Sequence, residues 1–202
     1  MASQDESMAS ESVSTWLREQ PSLTGRPLAV ILDELPADPA SLFGTWIGEA
    51  VAHGVPEPHA ATLATVDADG VPDARTLILK DVSSRGWAFA GHRESQKAAQ
   101  LLAHPAAALN FWWQPIVRAV RVRGVVQEAT PEESAADLGA RSASARAGIA
   151  PGEWVLWRLA PTRIEFWNGA ADRRHTRIVY FREGENWSHT VTGGEADGAT
   201  QA

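Results

Sequence analysis

Cysteine is absent from the chain, and tyrosine, methionine and lysine are rare. The 202 residues include no cysteine, one tyrosine and two methionines, and the only lysines are Lys80 and Lys97. Without cysteine the chain cannot form a disulfide, a thiolate metal site, an iron–sulfur cluster or a cysteine nucleophile. This composition favours a cytoplasmic protein.

Long apolar runs and an excess of positive charge are also missing. No stretch approaches the roughly 18 uninterrupted apolar residues of a spanning helix, and the first residues lack the basic and apolar regions of a signal peptide. The formal net charge of -7 disfavours contact with nucleic-acid phosphates. We therefore expect no membrane partner and no nucleic-acid partner.

The remaining composition is that of an ordinary globular protein. Hydrophobic residues make up 44% and charged residues 21% of the chain, which suits one domain with a real core. Residues 1–12 and 193–202 have no apolar periodicity and are expected to be disordered tails. We expect a single folded domain over residues 13–192.

Apolar residues recur with a helical period in three segments and alternate with polar residues elsewhere. Asp38 begins a helix that Gly54 ends, and Ser95 begins a second helix. A capping box at 130–133 begins a third, which we expect to run to about Arg141. Strands are expected at 59–66, 73–80, 87–91, 106–113, 117–128, 163–168, 177–182 and 187–192. Short antiparallel strands with interposed helices predict a mainly β, α+β fold, a barrel with helices packed outside it.

Arg75 stands out in the second strand. Strand alternation places it on the same face as Leu77 and Leu79, which is otherwise apolar. A guanidinium on such a face needs an anion, and a bidentate phosphate is a common partner. A structural carboxylate or a place at the barrel rim satisfies it equally well, so both interpretations stay open.

The segment Ser95-Gln96-Lys97 opens the second helix. Free backbone N–H groups and the helix dipole favour an anion at such a position, and a hydroxyl and an ammonium strengthen it. A routine serine cap beside a solvated lysine gives the same sequence. Since a short strand joins this segment to Arg75, one phosphate could contact both.

A third group of polar residues lies near the C-terminus. Arg173, His175 and Arg177 share one face if this piece is extended, and Trp167 precedes them. Cations that converge in this way repel one another unless an anionic or π-rich group lies between them. A solvated basic turn is the alternative. The histidines show no metal-ligand spacing, so we expect no metal site.

Taken together, these residues resemble the pyridoxamine 5′-phosphate oxidase family, which are FMN-dependent enzymes with an antiparallel, Greek-key-like split β-barrel. The matching segments are LPADP before the first long helix, ATLATVDADGVPDARTLILK, GWAFAGHRESQKAAQ, VRVRG and RIEFWNGAADRRHTRIVYFR. They cover most of residues 35–182, in order and at compatible spacing. The resemblance implies a homodimer with FMN between the subunits.

The resemblance also implies roles for individual residues. The positions that match cofactor-binding residues of the family are Arg75, Lys80, Ser95, Gln96, Lys97, Trp167 and Arg177. The positions that match substrate-binding residues are Lys80, Arg141, Arg173 and His175, of which Arg173 and His175 are the expected catalytic pair.

The implied activity is oxidation of pyridoxine or pyridoxamine 5′-phosphate to pyridoxal 5′-phosphate, a step of pyridoxal phosphate biosynthesis. A hydride would pass to flavin N5, and O₂ would reoxidise the flavin. The Ser-Gln-Lys variant resembles the phenazine-biosynthesis branch, so oxidation of a reduced aromatic metabolite is a second possibility. A non-catalytic flavin or haem binder is a third, and a deazaflavin-dependent reductase a fourth.

The chain departs from the family pattern at several positions. A Tyr-Thr-like pair near the flavin is replaced by Ala90-Gly91. In the helical segment, Asp137 and Ala145 stand at the positions of a substrate-phosphate Tyr and Ser. A helical insertion of the family that supplies further FMN contacts is missing between about 148 and 154.

Overall fold

A computed structural model describes residues 12–194 of the chain. Within them the helices are α1 (Val13–Glu19), α2 (Pro39–Ala52), α3 (Gln96–Ala103), α4 (Pro131–Gly139) and α5 (Ala143–Arg146), with a 3₁₀ turn at Gln114–Ile116. The strands are β1 (Ala60–Val66), β2 (Pro72–Ile78), β3 (Asp81–Ser83), β4 (Gly86–His92), β5 (Ala106–Trp113), β6 (Arg118–Glu128), β7 (Trp154–Asn168), β8 (Thr176–Glu183) and β9 (Asn186–Thr192). The tails expected at 1–12 and 193–202 lie outside the described residues, apart from positions 12, 193 and 194, and the single domain stays a prediction.

The nine strands form one antiparallel sheet that curls into a barrel. The main strand order is β2-β1-β5-β6-β7-β4-β3, in which several neighbours are distant in sequence, as in a Greek key. The Lys80 amide donates to the Ala88 carbonyl (2.7 Å), which joins the end of β2 to β4 and closes the ring. The expected mainly β, α+β barrel with helices outside it is confirmed.

Strand β7 is the point at which the barrel splits. One of its edges pairs with β6. The other edge pairs with β4 up to Leu159 and with β8 from Arg163 onward. A register shift in β6 lies beside this point, where a Cβ on Gly124 would stand 1.9 Å from the Ala160 carbonyl oxygen. The bulge therefore needs glycine to let the two strands approach.

Helix α2 packs its apolar face onto the core of the barrel. Asp38 caps it by accepting from the Ala40 amide (3.0 Å), as the sequence predicts. The Phe43 ring centroid lies 4.4 Å from that of Trp87 and 5.1 Å from that of Phe111. These tilted aromatic contacts, with complete burial of Phe111, anchor the helix to the sheet.

Several elements differ from the sequence predictions. The sequence predicts a loop around Pro151-Gly152 and a strand only from residue 163, whereas β7 begins at Trp154. Pro161 is tolerated because it lies in the gap between β4 and β8, where one strand edge has no partner. Strand β3 and helix α1 were also missed. Helix α4 ends at Gly139, so Arg141 lies beyond it rather than in its last turn.

The longest helix in residues 12–194 is α2, with 14 residues. A bilayer-spanning helix needs about 20 mainly apolar residues. None of the described helices is long and apolar enough to cross a membrane.

Candidate functional site

Arg75 projects from β2 toward β1 and α3. Its Nη2 donates to Asp73 Oδ2 and to Gln100 Oε1, each at 2.8 Å. Its Nη1 donates to the Thr65 hydroxyl, and both Thr65 and Gln100 are buried. Arg75 therefore has the structural carboxylate that the sequence left open, and these contacts fix the plane of its guanidinium.

Asp73 completes this network as an ionised carboxylate. Gln100 donates to it through Nε2 at 3.2 Å, and the Ala74 amide donates at 2.7 Å. These two hydrogen bonds, followed by the charge of Arg75, lower the pKa of Asp73 below its usual value. Arg75 is thus held by an anion that stays charged at neutral pH.

Lys97 lies one turn before Gln100 on α3 and is half-buried. Its ammonium donates to the Ser95 hydroxyl (3.1 Å) and stands 5.8 Å from the Trp157 ring centroid. Burial, and then the charge of Arg75, lower the pKa of Lys97. Among residues 12–194, no carboxylate oxygen lies within 4.0 Å of this ammonium. The charge of Lys97 is therefore opposed by that of Arg75, and the carboxylate of Asp73 pairs with Arg75 alone.

Ser95 occupies the N-cap position of α3, as predicted, but its side chain does not cap the helix. Its hydroxyl donates instead to the His92 carbonyl at 2.6 Å. Gln96, the next residue, is exposed. The first-turn N–H groups therefore have no side-chain acceptor from Ser95, and they add positive potential near Lys97. Arg75, Ser95 and Lys97 are called the cation cluster below.

Arg141 and Lys80, the expected substrate-phosphate residues, lie at other places on the barrel. The Arg141 guanidinium stacks 4.3 Å from the Trp154 ring centroid, at the beginning of β7. The Trp154 indole N–H donates to Asp137 at 2.8 Å, so a carboxylate lies beside the same indole. Lys80 follows β2, is exposed, and borders a cleft of about 320 Å³ beside α2.

Trp167, His175 and Arg177 come together at the far end of β7. Trp167 and Arg177 are direct partners across β7 and β8, and the His175 ring lies 4.8 Å from the Trp167 ring. His175 Nδ1 accepts from the Ala170 amide (3.0 Å), so the neutral ring carries its proton on Nε2. Trp112 lies 6.1 Å from Trp167 and is partly exposed. Trp167, His175 and Arg177 are called the indole cluster below.

Arg173 does not share an extended strand with the indole cluster. Strand β8 begins only at Thr176, and Arg173 lies in the preceding turn with a φ of 68°. Its guanidinium donates to the Ser22 hydroxyl at 3.3 Å. The condition for the common face predicted for Arg173, His175 and Arg177 is therefore not met, and Arg173 is presented from a left-handed turn.

The cation cluster and the indole cluster lie toward opposite ends of β7. Lys97 stands over Trp157, in the half that pairs with β4, whereas Trp167 lies in the half that pairs with β8. Ten residues of strand separate the two tryptophans, or about 30 Å along the strand. The two clusters of one chain are therefore separate from one another.

Glu165 supports the indole cluster and was missed by the sequence analysis. Its side chain is 1% exposed and receives three guanidinium groups, from Arg121, from Arg163 (2.7 Å) and from Arg177 (3.6 Å). Burial alone would raise the pKa of Glu165, but the hydrogen bond and charge of Arg121, with the other two cations, lower it. The signal for this group is the cross-strand register Arg121↔Glu165, which sequence alone does not fix.

We expect Glu165→Gln to lower the free energy of unfolding at pH 7 by about 2 to 3 kcal/mol, because it leaves partly buried guanidinium groups without their carboxylate. Since the pKa of Glu165 in the folded state lies below the ordinary glutamate value of 4.5, this stabilisation is present above that pH and is lost as the pH falls through the folded pKa. Urea unfolding at pH 7 and at acid pH measures it, with exposed Glu185→Gln as the control. A wild-type advantage that stayed constant with pH would contradict this explanation.

Two family models match the chain. Pyridoxamine 5′-phosphate oxidase matches residues 47–168, and the pyridoxine 5′-phosphate oxidase C-terminal dimerisation region matches residues 154–191. The pyridoxine/pyridoxamine 5′-phosphate oxidase of Bordetella petrii is 38% identical in an alignment over 182 residues that covers 75% of this chain and 87% of that protein. The chain belongs to the pyridoxamine 5′-phosphate oxidase family. As a member of this family, it is an oxidoreductase.

Solved structures of the pyridoxamine 5′-phosphate oxidase fold agree with this assignment. PhzG from Burkholderia lata, in complex with tetrahydrophenazine-1-carboxylic acid, has a TM-score of 0.76 and 25% identity, covering 84% of this chain and 100% of that one. A related FMN binding protein from Nostoc punctiforme shares the fold, with a TM-score of 0.64 at 17% identity. The resemblance and the split barrel inferred from the sequence are confirmed, while the roles of individual site residues stay predictions.

Proposed function

We propose that this protein is an FMN-dependent oxidase that converts pyridoxine or pyridoxamine 5′-phosphate to pyridoxal 5′-phosphate. The observation that supports this most strongly is the cation cluster, in which a half-buried ammonium without a carboxylate partner faces Arg75. Relatives at 38% identity are named pyridoxine/pyridoxamine 5′-phosphate oxidases. FMN, when bound, would accept a hydride at N5 and be reoxidised by O₂.

The cation cluster fits the phosphate of FMN. Two cations that repel one another are stabilised by a dianion placed between them, and both present N–H donors for it. Ser95 has a hydroxyl at the same place, and exposed Gln96 adds an amide. In this proposal, Arg75, Ser95, Gln96 and Lys97 hold the phosphate, and Lys80 is a further cofactor and substrate contact.

The indole cluster fits the flavin ring. Trp167 offers a large aromatic face, and Arg177 is held beside it by Glu165. Because the two clusters of one chain are too far apart for one FMN, the complete site would need the indole cluster of a second copy. The match of residues 154–191 to a dimerisation region supports such a homodimer with the cofactor at its interface.

Arg173 and His175 are the residues that we propose to orient the substrate ring. His175 has its Nδ1 engaged with the Ala170 amide, so only Nε2–H is left to donate to a substrate oxygen or nitrogen. Arg173 reaches out of its turn with a full positive charge. Arg141 and Lys80 would hold the substrate phosphate. Their common task is to keep the reacting carbon at near-attack distance, because the cofactor performs the chemistry.

Oxidation of a reduced aromatic ring is the second candidate function. At the expected substrate-phosphate site, Asp137 lies beside Trp154 and adds negative charge, which disfavours a phosphate ester. Arg141 is stacked on the same indole, where a planar substrate could lie. The structural similarity to PhzG supports this candidate.

One experiment tests both candidates. The purified protein is loaded with FMN, freed of excess cofactor and mixed without O₂ with either pyridoxine 5′-phosphate or a dihydroaromatic carboxylic acid, while the flavin absorbance is followed. Bleaching by the first, with recovery in air, supports the main proposal, and bleaching only by the second supports the alternative. A yellow protein that neither reduces is a non-catalytic binder, and a colourless one contradicts FMN binding. The cytoplasmic location stays a prediction.

A further inference from the structure

Gly91 in β4 leaves a space that the Lys97 side chain fills. A Cβ at position 91 would lie 2.2 Å from Lys97 Nζ and 2.6 Å from Lys97 Cε. Both distances are far shorter than a van der Waals contact. The next atom, on the Trp157 ring, is 3.8 Å away, an ordinary contact distance. Lys97 is therefore the only close obstacle, within the described residues, to a side chain at this position.

The backbone does not explain glycine at position 91. Gly91 pairs with Val155 in regular register, one pair before the end of the β4–β7 ladder, and it is not among the residues with positive φ. Glycine inside a strand is unfavourable relative to alanine, because it loses more conformational entropy on folding. What glycine provides here is room for the ammonium.

The partners of Lys97 within the described residues are weak ones. A lysine on a helix extends its ammonium into water unless a partner holds it, and here the partners are the neutral Ser95 hydroxyl and the ring of Trp157. The charged group that faces it is Arg75 of β2, which is itself paired with Asp73. The inward position is thus unfavourable in the ligand-free protein and favourable for an anion.

We propose that Gly91 is a positioning residue for Lys97: its missing side chain forms the seat that keeps the ammonium facing Arg75, ready to bind the phosphate of the cofactor. Only the identity of the anion rests on the proposed function. The seat itself follows from the position of the Lys97 side chain of α3 beside residue 91 of β4. A seat formed in advance lowers the cost of ordering Lys97 when the ligand binds.

A first test needs no ligand. Because the chain has only two lysines, protein labelled with ¹³C-lysine gives two ¹³Cε signals, and exposed Lys80 serves as the internal reference. In wild type we expect Lys97 to titrate below the ordinary range of a lysine. In Gly91→Ala its titration should move up toward that range, whereas Gly48→Ala, at an open position on α2, should leave it unchanged. An unchanged Lys97 signal in Gly91→Ala would overturn the proposal.

A second test is a double-mutant cycle read by FMN affinity. Gly91→Ala should weaken FMN binding by about tenfold, the value of one hydrogen bond to a charged group, and should leave binding of riboflavin, which has no phosphate, unchanged. In a Lys97→Ala background the same change should have almost no effect. Equal weakening in both backgrounds would overturn the proposal, because Gly91 would then act without Lys97.

The two tests separate failure of the inference from failure of the proposed function. Absence of FMN binding in every variant would contradict the proposed function, while the lysine signals would still decide the seat. If Gly91→Ala alone does not fold, Gly91→Ala with Lys97→Ala decides the matter by its thermal unfolding. Recovery of the fold in that double variant supports a clash with Lys97, and continued misfolding overturns it.

Discussion

Replacing Arg173 with alanine is expected to lower turnover by about 100-fold, while FMN affinity changes by less than about threefold. Arg173 is exposed in its turn and makes one side-chain hydrogen bond, to Ser22, so its loss leaves the barrel intact. If it orients the substrate ring, its removal costs the positioning energy of the reaction, and a misplacement of even 1 Å is worth about 100-fold. Steady-state kinetics and FMN titration of the same preparation measure both effects.

The neighbouring residue gives a matched control. Arg174 is also exposed and lies in the same turn, where its guanidinium donates to the Gly194 carbonyl. Arg174→Ala should leave turnover within about twofold of wild type, since of these two arginines only Arg173 is assigned to the substrate. Alanine and arginine meet the same left-handed strain at position 173. Equal losses of turnover and FMN affinity in Arg173→Ala would contradict the assignment of Arg173 to the substrate rather than to the cofactor.

Replacing Lys97 with methionine should weaken FMN binding by about 10- to 100-fold, the value of a hydrogen bond to a charged group at a partly buried site. The same change should stabilise the ligand-free protein. The pKa of Lys97 in the folded state lies below the ordinary lysine value of 10.5, so folding disfavours the charged form at pH 7, and removal of the charge relieves that cost. Fluorescence titration and urea unfolding measure the two effects.

Opposite changes in affinity and stability are specific to a binding role. Arg146→Met removes another positive charge, from an exposed helix, and should alter neither quantity. Riboflavin should bind wild type and Lys97→Met alike, because it has no phosphate for the ammonium to contact. A variant that lost stability together with affinity would show instead that Lys97 is a structural residue.

Most of the fold could be predicted from local patterns in the sequence. Alternation of apolar and polar residues predicted all or part of eight of the nine strands in residues 12–194, and Asp38 marked the beginning of α2, because these signals arise from neighbours in sequence. The first half of β7 was missed because a loop was expected around Pro151-Gly152. Pro161, which lies in this half, is tolerated only because of the gap between β4 and β8, a fact of the assembled sheet.

The sequence predicted which residues form the candidate site, but not which side chains contact them. Arg75 and Lys97 were recognisable as candidate anion-binding residues. Arg75 is a cation on an otherwise apolar strand face, and Lys97 is a cation at the beginning of a helix. The carboxylate that holds Arg75, the three guanidinium groups around Glu165 and the seat at Gly91 all depend on contacts between distant segments. No pattern within one strand or helix reveals such contacts.

The measurement that tests the central claim most directly is complementation between two defective variants, read by FMN binding. One variant carries Arg75→Ala with Lys97→Met, and the other carries Trp167→Ala with Arg177→Ala, so each lacks one of the two clusters. If a site joins the cation cluster of one copy to the indole cluster of another, random pairing of an equal mixture should restore wild-type affinity at about a quarter of the sites. A mixture that binds FMN no better than the two variants separately would contradict a site shared between two copies.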